Sequence, residues 1–264
     1  MTISKTRRKD LLLKESIEKM QMKIMETDIE GCITGSSLAD WNMDDTNAVP
    51  DIDIFTYSPY AMVHAIDVLE YKLGLVSGGD EITTDAGEKW KAQKVRTSGR
   101  GNRDLATCKF TDGTVVVNVS NRKYEKSAMD VIARFDMSIV LQAYDIPSGT
   151  LIDMRDCQPK ADIVDIIKSH GGDPMVAVPN PFRSFDGTTW NAAKWLRQWD
   201  RVIKYWNRGF DTLPMARFYR YMIKEVIDGG SLFKTEASKQ AYQDFVDEFQ
   251  DLGEKIDEWI KEKE

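Results

Sequence analysis

The chain has few of the residues that build metal scaffolds or disulfide networks. Among its 264 residues there are two histidines, His64 and His170, and three cysteines, Cys32, Cys108 and Cys157. The cysteines form no CxxC pair, and their number is odd. We therefore expect neither a structural zinc site nor a disulfide framework, and we expect a reducing, cytoplasmic location.

Long apolar runs are also missing. The longest apolar stretches are short, for example residues 115–117 and 139–141. A membrane-spanning helix needs about 20 apolar residues. Residues 1–13 are basic but contain no long apolar region and no small-residue cleavage site, so we expect no secretory signal. A membrane is not an expected partner.

An excess of positive charge is the third absence. The chain has 43 acidic and 36 basic residues and a net charge of −7, which argues against a general nucleic-acid binder. Basic residues do cluster locally, at 96–103 and 194–220, so a local site for a polyanion is compatible with the sequence. The 42 % of apolar residues suffices for the core of one large domain or two small ones.

The residue pattern changes near the middle of the chain. Short β-like runs alternate with helical patterns up to about residue 157, and helical patterns dominate from Pro159 onward. This order predicts an α+β protein, with a mixed sheet and flanking helices in residues 1–157 and a helical domain in residues 158–264. Strands are predicted at 31–35, 51–55, 105–110, 114–119, 137–143 and 150–154. Helices are predicted at 3–26, 58–73, 127–134, 160–169, 188–208, 214–228 and 236–261.

Two acids one residue apart carry the clearest chemical signal. Alternate residues of a strand point to the same face, so Asp51 and Asp53 should project side by side while Ile52 enters the core. Adjacent carboxylates repel each other unless a divalent cation neutralises them. Upstream, Gly35 would allow close approach of a phosphate, and Ser36 would begin a helix whose N-terminus favours anions.

These residues resemble the signature of the DNA polymerase beta-like nucleotidyltransferase superfamily. Gly35-Ser36, a spacer of fourteen residues and Asp51-Ile-Asp-Ile-Phe55 match its pattern of a glycine pair followed by two acids. The stretch Gly-Ser-Ser-Leu-Ala-Asp-Trp is especially similar to uncharacterised nucleotidyltransferase-like proteins of tailed phages and large DNA viruses. The similarity is specific over about 25 residues. For a phage protein, the expected location is the host cytoplasm.

The resemblance implies transfer of a nucleoside monophosphate from an NTP, such as ATP, to an acceptor. Asp51 and Asp53 would bind Mg²⁺ or Mn²⁺, and the acceptor would be an RNA or tRNA 3′ end, a protein hydroxyl or a small molecule. Such enzymes usually have a third carboxylate on a later strand, where this chain has Asn118. Asp136 is the candidate replacement, and Asp153 is the second choice.

The second half offers a basic helix face. Lysines and arginines at spacings of three or four residues share one side of the predicted helix: Lys194, Arg197, Arg201, Lys204 and Arg208. They would contact the triphosphate, with Lys194, Arg201 and Lys204 as the chosen residues, or they would form a solvated helix face. The interleaved tryptophans and Phe210 are interpreted mainly as core.

The neutral Asn118 also motivates an alternative function. A nucleotidyltransferase-like fold without a complete acid set would bind nucleotide without transferring it, or would act as a viral structural or host-interaction module. The sequence leaves the base, the acceptor and the oligomeric state open.

Overall fold

A computed structural model describes residues 5–39, 51–77, 81–83, 89–91, 105–122, 124–168, 172–183, 196, 198–228 and 236–264. Its strands are β1 (Gly31–Thr34), β2 (Asp51–Thr56), β3 (Val76–Ser77), β4 (Glu81–Thr83), β5 (Lys89–Lys91), β6 (Leu105–Thr111), β7 (Val116–Arg122), β8 (Gln142–Asp145) and β9 (Thr150–Asp153). Its helices are α1 (Lys5–Met25), α2 (Ser36–Ala39), α3 (Pro59–Asp67), α4 (Ala128–Ile132), α5 (Val164–Ile167), α6 (Trp199–Trp206), α7 (Leu213–Asp228) and α8 (Glu236–Lys263).

Seven strands form one mixed sheet in the order β3-β6-β7-β2-β1-β8-β9, and β4 pairs with β5 separately. Strands β2 and β7 run parallel, and the other neighbours in the large sheet are antiparallel. The predicted α+β class with a mixed sheet is confirmed. Within the described ranges, no helix combines the length and the apolar character that crossing a bilayer requires.

Local sequence explains the best-predicted elements. The hydroxyl of Ser58 accepts a hydrogen bond from the Ala61 backbone N–H at 3.0 Å, and Pro59 occupies the first turn of α3. The helix continues as a π-helical turn over Val68–Lys72 and stops before Gly74, whose φ is +67°. Both ends of the helical stretch lie where the cap residues predict them.

The central strands of the large sheet carry the apolar core of this part of the chain on one face. Ile52 and Ile54 of β2 are fully buried, as are Val117 and Val119 of β7. They belong to a cluster that includes side chains of α1 and α3, such as Ile24. Because strand side chains alternate, Asp51 and Asp53, which alternate with these isoleucines, lie on the opposite face of the sheet.

The predicted strand at 137–143 is wrong over most of its length. Residues Ser138–Val140 form a 3₁₀ turn, and strand β8 begins only at Gln142. The Ser138 hydroxyl donates to the Val176 carbonyl at 3.1 Å and accepts from the Val178 N–H at 3.0 Å, which binds this stretch to a distant loop. A short buried apolar run does not reveal its own conformation, because burial gives it no periodicity.

The chain folds as two compact units whose segments alternate. The first unit comprises residues 1–134 and 140–154, and the second comprises 135–139 and 155–264. The predicted domains, residues 1–157 and 158–264, do not include this exchange of a short segment.

Candidate functional site

Parallel pairing of β2 with β7 builds the acidic cluster. Asp53 pairs in register with Asn118, and Asp51 lies two residues earlier on the same face. The Asn118 Nδ2 donates to Asp53 Oδ1 at 3.0 Å and to Asp51 Oδ2 at 3.2 Å. A single amide group therefore bridges the two carboxylates, which are both half-buried.

The oxygen of the Asn118 amide, unlike its nitrogen, has no partner among the described residues. The side chain is 8 % exposed, and its Oδ1 is buried. This oxygen has no hydrogen-bond partner in the part of the chain that the structure describes. A buried amide oxygen normally accepts a hydrogen bond, so this one calls for an explanation.

Gly35 lies directly against one of the acids. It follows β1, which pairs with β2 so that Thr34 is opposite Asp53, and its φ is +85°. A Cβ atom at Gly35 would lie 2.8 Å from Asp53 Oδ2. Ser36 begins α2 and is almost completely buried. Glycine is thus required here both for the backbone conformation and for space beside the carboxylate.

Lys109 is a member of this row that sequence reasoning missed. It lies directly opposite Asn118 in the antiparallel β6–β7 hairpin, so Lys109, Asn118 and Asp53 follow one another across three strands on the same face. Counting residues outward from the Asp112-Gly113 turn would have found it, because the hairpin register pairs position 109 with position 118. A cationic side chain therefore belongs to the face that carries the two acids.

Asp153 is on the other face of the same sheet. It pairs with Gln142, one residue before Ala143, which lies in the row of Thr34 and Asp53. Its strand is three positions from β2, which corresponds to about 14 Å. Gln142 Nε2 donates to its carboxylate at 2.6 Å. The structure therefore places Asp153 away from the acid pair, and its choice as a third acid is wrong.

Comparison with known proteins adds no identification. No family model matches the chain, and no curated protein matches it significantly.

Asp136 and Arg201, which were predicted to contact metal and phosphate respectively, bind each other. Arg201 Nη1 lies 2.8 Å from Asp136 Oδ1, and Asp136 is completely buried. Both residues belong to the second unit. The charge of each is thus offset by the other, and their proposed roles in catalysis stay predictions.

The remaining basic residues are only partly described. Arg201, Lys204 and Arg208 lie 5.6–5.9 Å from the ring centre of Tyr205, which is buried. Lys194 and Arg197, like the basic stretch 96–103, lie outside the described residues. Binding of the triphosphate by Lys194 and Lys204 stays a prediction.

Several aromatic residues that the structure describes in this half are packed against each other. Trp199 lies 5.6 Å from Trp259 of α8 and 6.2 Å from Tyr219, measured between ring centres. Phe210 is 1 % exposed and packs edge-on against Tyr205. For Trp199 and Phe210 the interpretation as core is confirmed.

Thiol chemistry is not supported at Cys32. This side chain is fully buried, and burial raises the pKa of its thiol to about 12. At neutral pH almost none of it is thiolate, which is the nucleophilic form.

Among the residues that the structure describes, no three His, Cys, Asp or Glu side chains are grouped so that they could hold a metal ion. A cation at Asp51 and Asp53 would therefore need ligands other than a third described side chain of these four types.

Replacing Gly35 by alanine tests the contact with Asp53. We expect a loss of roughly 1–2 kcal/mol in the free energy of unfolding, because alanine disfavours a positive φ. We also expect the affinity for Mn²⁺, measured by calorimetry, to fall at least tenfold, because the new methyl group displaces the carboxylate.

Gly113→Ala is the matched control. Gly113 has a φ of +92°, and a Cβ atom there would meet nothing within 4 Å. We expect Gly113→Ala to lose about as much stability as Gly35→Ala and to keep the wild-type affinity for Mn²⁺. Equal affinities in the two variants would contradict a functional contact at Gly35.

Proposed function

We propose that the chain is a metal-dependent nucleotidyltransferase of the DNA polymerase beta-like superfamily. The observation that carries the proposal is the pair Asp51 and Asp53, side by side on β2, with the backbone of Gly35 against the second acid. Two half-buried carboxylates held this close are costly without a cation or a donor between them. Uncharged residues at positions 51 and 53 would avoid this repulsion, so the presence of two acids favours a bound cation.

The residues present fit a divalent cation. Asp51 and Asp53 would hold it, because carboxylate oxygens are preferred ligands of Mg²⁺ and Mn²⁺. Asn118 contacts both acids through Nδ2, so its buried Oδ1, which has no partner in the described residues, is at the other end of the amide and is not one of these ligands in the present orientation. When bound, the cation would neutralise phosphate charge and activate the acceptor hydroxyl.

The reaction is an in-line displacement at the α-phosphorus of an NTP. The acceptor oxygen forms a bond to phosphorus, the bond to the bridging oxygen breaks, pyrophosphate leaves, and the hydroxyl proton passes to water. Gly35 supplies close access for the phosphates, and Ser36 supplies a hydroxyl beside them. The rigid strand β2 positions both carboxylates, since its alternate residues are anchored in the core.

Label transfer tests the function. The full chain is incubated with Mg²⁺ and each NTP labelled at the α-phosphate, together with total RNA, protein and small-molecule extracts. Labelled acceptor and equimolar pyrophosphate are expected with the wild type and not with Asp51→Ala/Asp53→Ala. Absence of transfer to all three acceptor classes, with all four NTPs, would contradict the proposal.

Asn118 favours one alternative function. A neutral amide at the third position is a poor base, so the chain could instead bind nucleotide without transferring it and serve as a nucleotide-sensing or host-interaction module. The same label then stays on the NTP, while equilibrium dialysis still detects nucleotide binding that depends on Asp51 and Asp53.

A further inference from the structure

The Asn118 side chain combines two unusual features. Its Nδ2 is shared between Asp51 Oδ2 and Asp53 Oδ1, at 3.2 and 3.0 Å. Its Oδ1 is buried and accepts no hydrogen bond from any described residue. The orientation of the amide therefore gives both acids a hydrogen-bond donor and leaves the amide oxygen without one.

The two ends of this amide can exchange places. Rotation about the terminal bond of an asparagine side chain is broad and roughly two-fold, so Nδ2 and Oδ1 are interchangeable in shape. In the present orientation a donor lies between the carboxylates and offsets their repulsion. In the exchanged orientation an oxygen would face both acids, which is unfavourable unless a cation lies among the three groups.

We propose that Asn118 is a cation-responsive ligand. Without a cation, its Nδ2 holds Asp51 and Asp53 together. When a divalent cation binds, the amide turns, and Oδ1 becomes the third protein oxygen of the site. The inference rests on the proposed function, because it places the cation at the same two acids. Lys109 on the same face offsets part of the negative charge of the two carboxylates, and a divalent cation would offset more of it.

Binding of Mn²⁺ to the full chain tests the role of Oδ1. Free Mn²⁺ is followed by electron paramagnetic resonance for the wild type and for Asn118→Ala. We expect the variant to bind Mn²⁺ at least tenfold more weakly, because it lacks the third oxygen. If the amide were only a fixed donor, it would compete with Mn²⁺ for the carboxylate oxygens, and its removal would leave Mn²⁺ binding equal or tighter. Equal or tighter binding by Asn118→Ala would overturn the inference.

Thermal unfolding gives a second readout, which also serves if Asn118→Ala does not fold. Asn118→Asp is compared with Asn121→Asp, which changes a second buried asparagine of the same strand. Asn121 is 6 % exposed, lies on the opposite face and donates to the Thr56 carbonyl at 2.8 Å. Both variants should have a lower Tm than the wild type in EDTA.

Only Asn118→Asp should then respond strongly to Mn²⁺. Its three acids bind the cation more tightly than the native site, so Mn²⁺ should raise its Tm more than that of the wild type. Asn121→Asp should shift no more than the wild type. Equal shifts in the two variants would overturn the inference.

The outcomes separate the inference from the function on which it rests. A wild type whose Mn²⁺ binding is lost in Asp53→Asn but unchanged in Asn118→Ala overturns the inference alone. A wild type that binds no Mn²⁺, with or without an NTP, overturns both.

Discussion

Asp53→Asn is expected to abolish nucleotidyl transfer while leaving the protein folded. The substitution keeps the size of the side chain and removes the charge that lies between Gly35 and Asn118. Metal ions contribute several kcal/mol to the stabilisation of charge in such transition states. Weakening that contribution by about 4 kcal/mol corresponds to roughly a thousandfold loss of kcat/KM.

The stability of this variant is the second half of the prediction. Removing one of two neighbouring carboxylates relieves their repulsion, so the free energy of unfolding should fall by no more than about 1 kcal/mol in EDTA. Urea denaturation measures it alongside the transfer assay. A variant that unfolds, or one that retains more than a tenth of the wild-type rate, would show that Asp53 is a structural residue.

Asp136→Asn is expected to have the opposite effect: a large loss of stability. Asp136 is completely buried, and its ion pair with Arg201 has a distance of 2.8 Å. Removing one partner of a buried ion pair typically costs 3–5 kcal/mol. Because the Arg201 side chain is about one-third exposed and water compensates part of its charge, we expect roughly 3 kcal/mol.

The chain contains a matched control for burial. Asp257 accepts hydrogen bonds from Arg220 Nε at 2.8 and 2.9 Å, in the same unit, but its side chain is 52 % exposed. Asp257→Asn should therefore cost less than about 1 kcal/mol. Urea denaturation of both variants measures the difference. If Asp136→Asn instead kept its stability and lost transfer activity, Asp136 would be the third acid that the sequence suggested.

The sequence predicted those features of the fold that depend on neighbouring residues. Ser58, Pro59 and Gly74 mark the ends of one helical stretch, and Asp112-Gly113 marks a hairpin, because caps and turns are local interactions. The alternation of Asp51, Ile52 and Asp53 likewise fixed which side chains share a face. These positions therefore agree with the structure almost residue by residue.

Contacts between residues far apart in the sequence could not be predicted from local patterns. The bond between Asn118 and Asp53 depends on the parallel pairing of β2 and β7, which are 65 positions apart at these residues. The pairing of Asp136 with Arg201 is equally remote, so each residue was assigned a function of its own. Tertiary contacts also override local preference at Ser138, where a turn replaces the predicted strand.

The alternation of segments between the two units delays the folding of residues 135–139 while the chain is being synthesised. Residues 135–139 emerge well before their partners at 176–180 and before Arg201. Elongation over the roughly 60 intervening residues takes about 3–12 s at 5–20 residues per second. During that interval the nascent chain carries Met137 and Ile139, both completely buried in the finished protein, without their native surroundings. That interval ends once the segment that contains Arg201 has been made, because Asp136 then has its ion-pair partner.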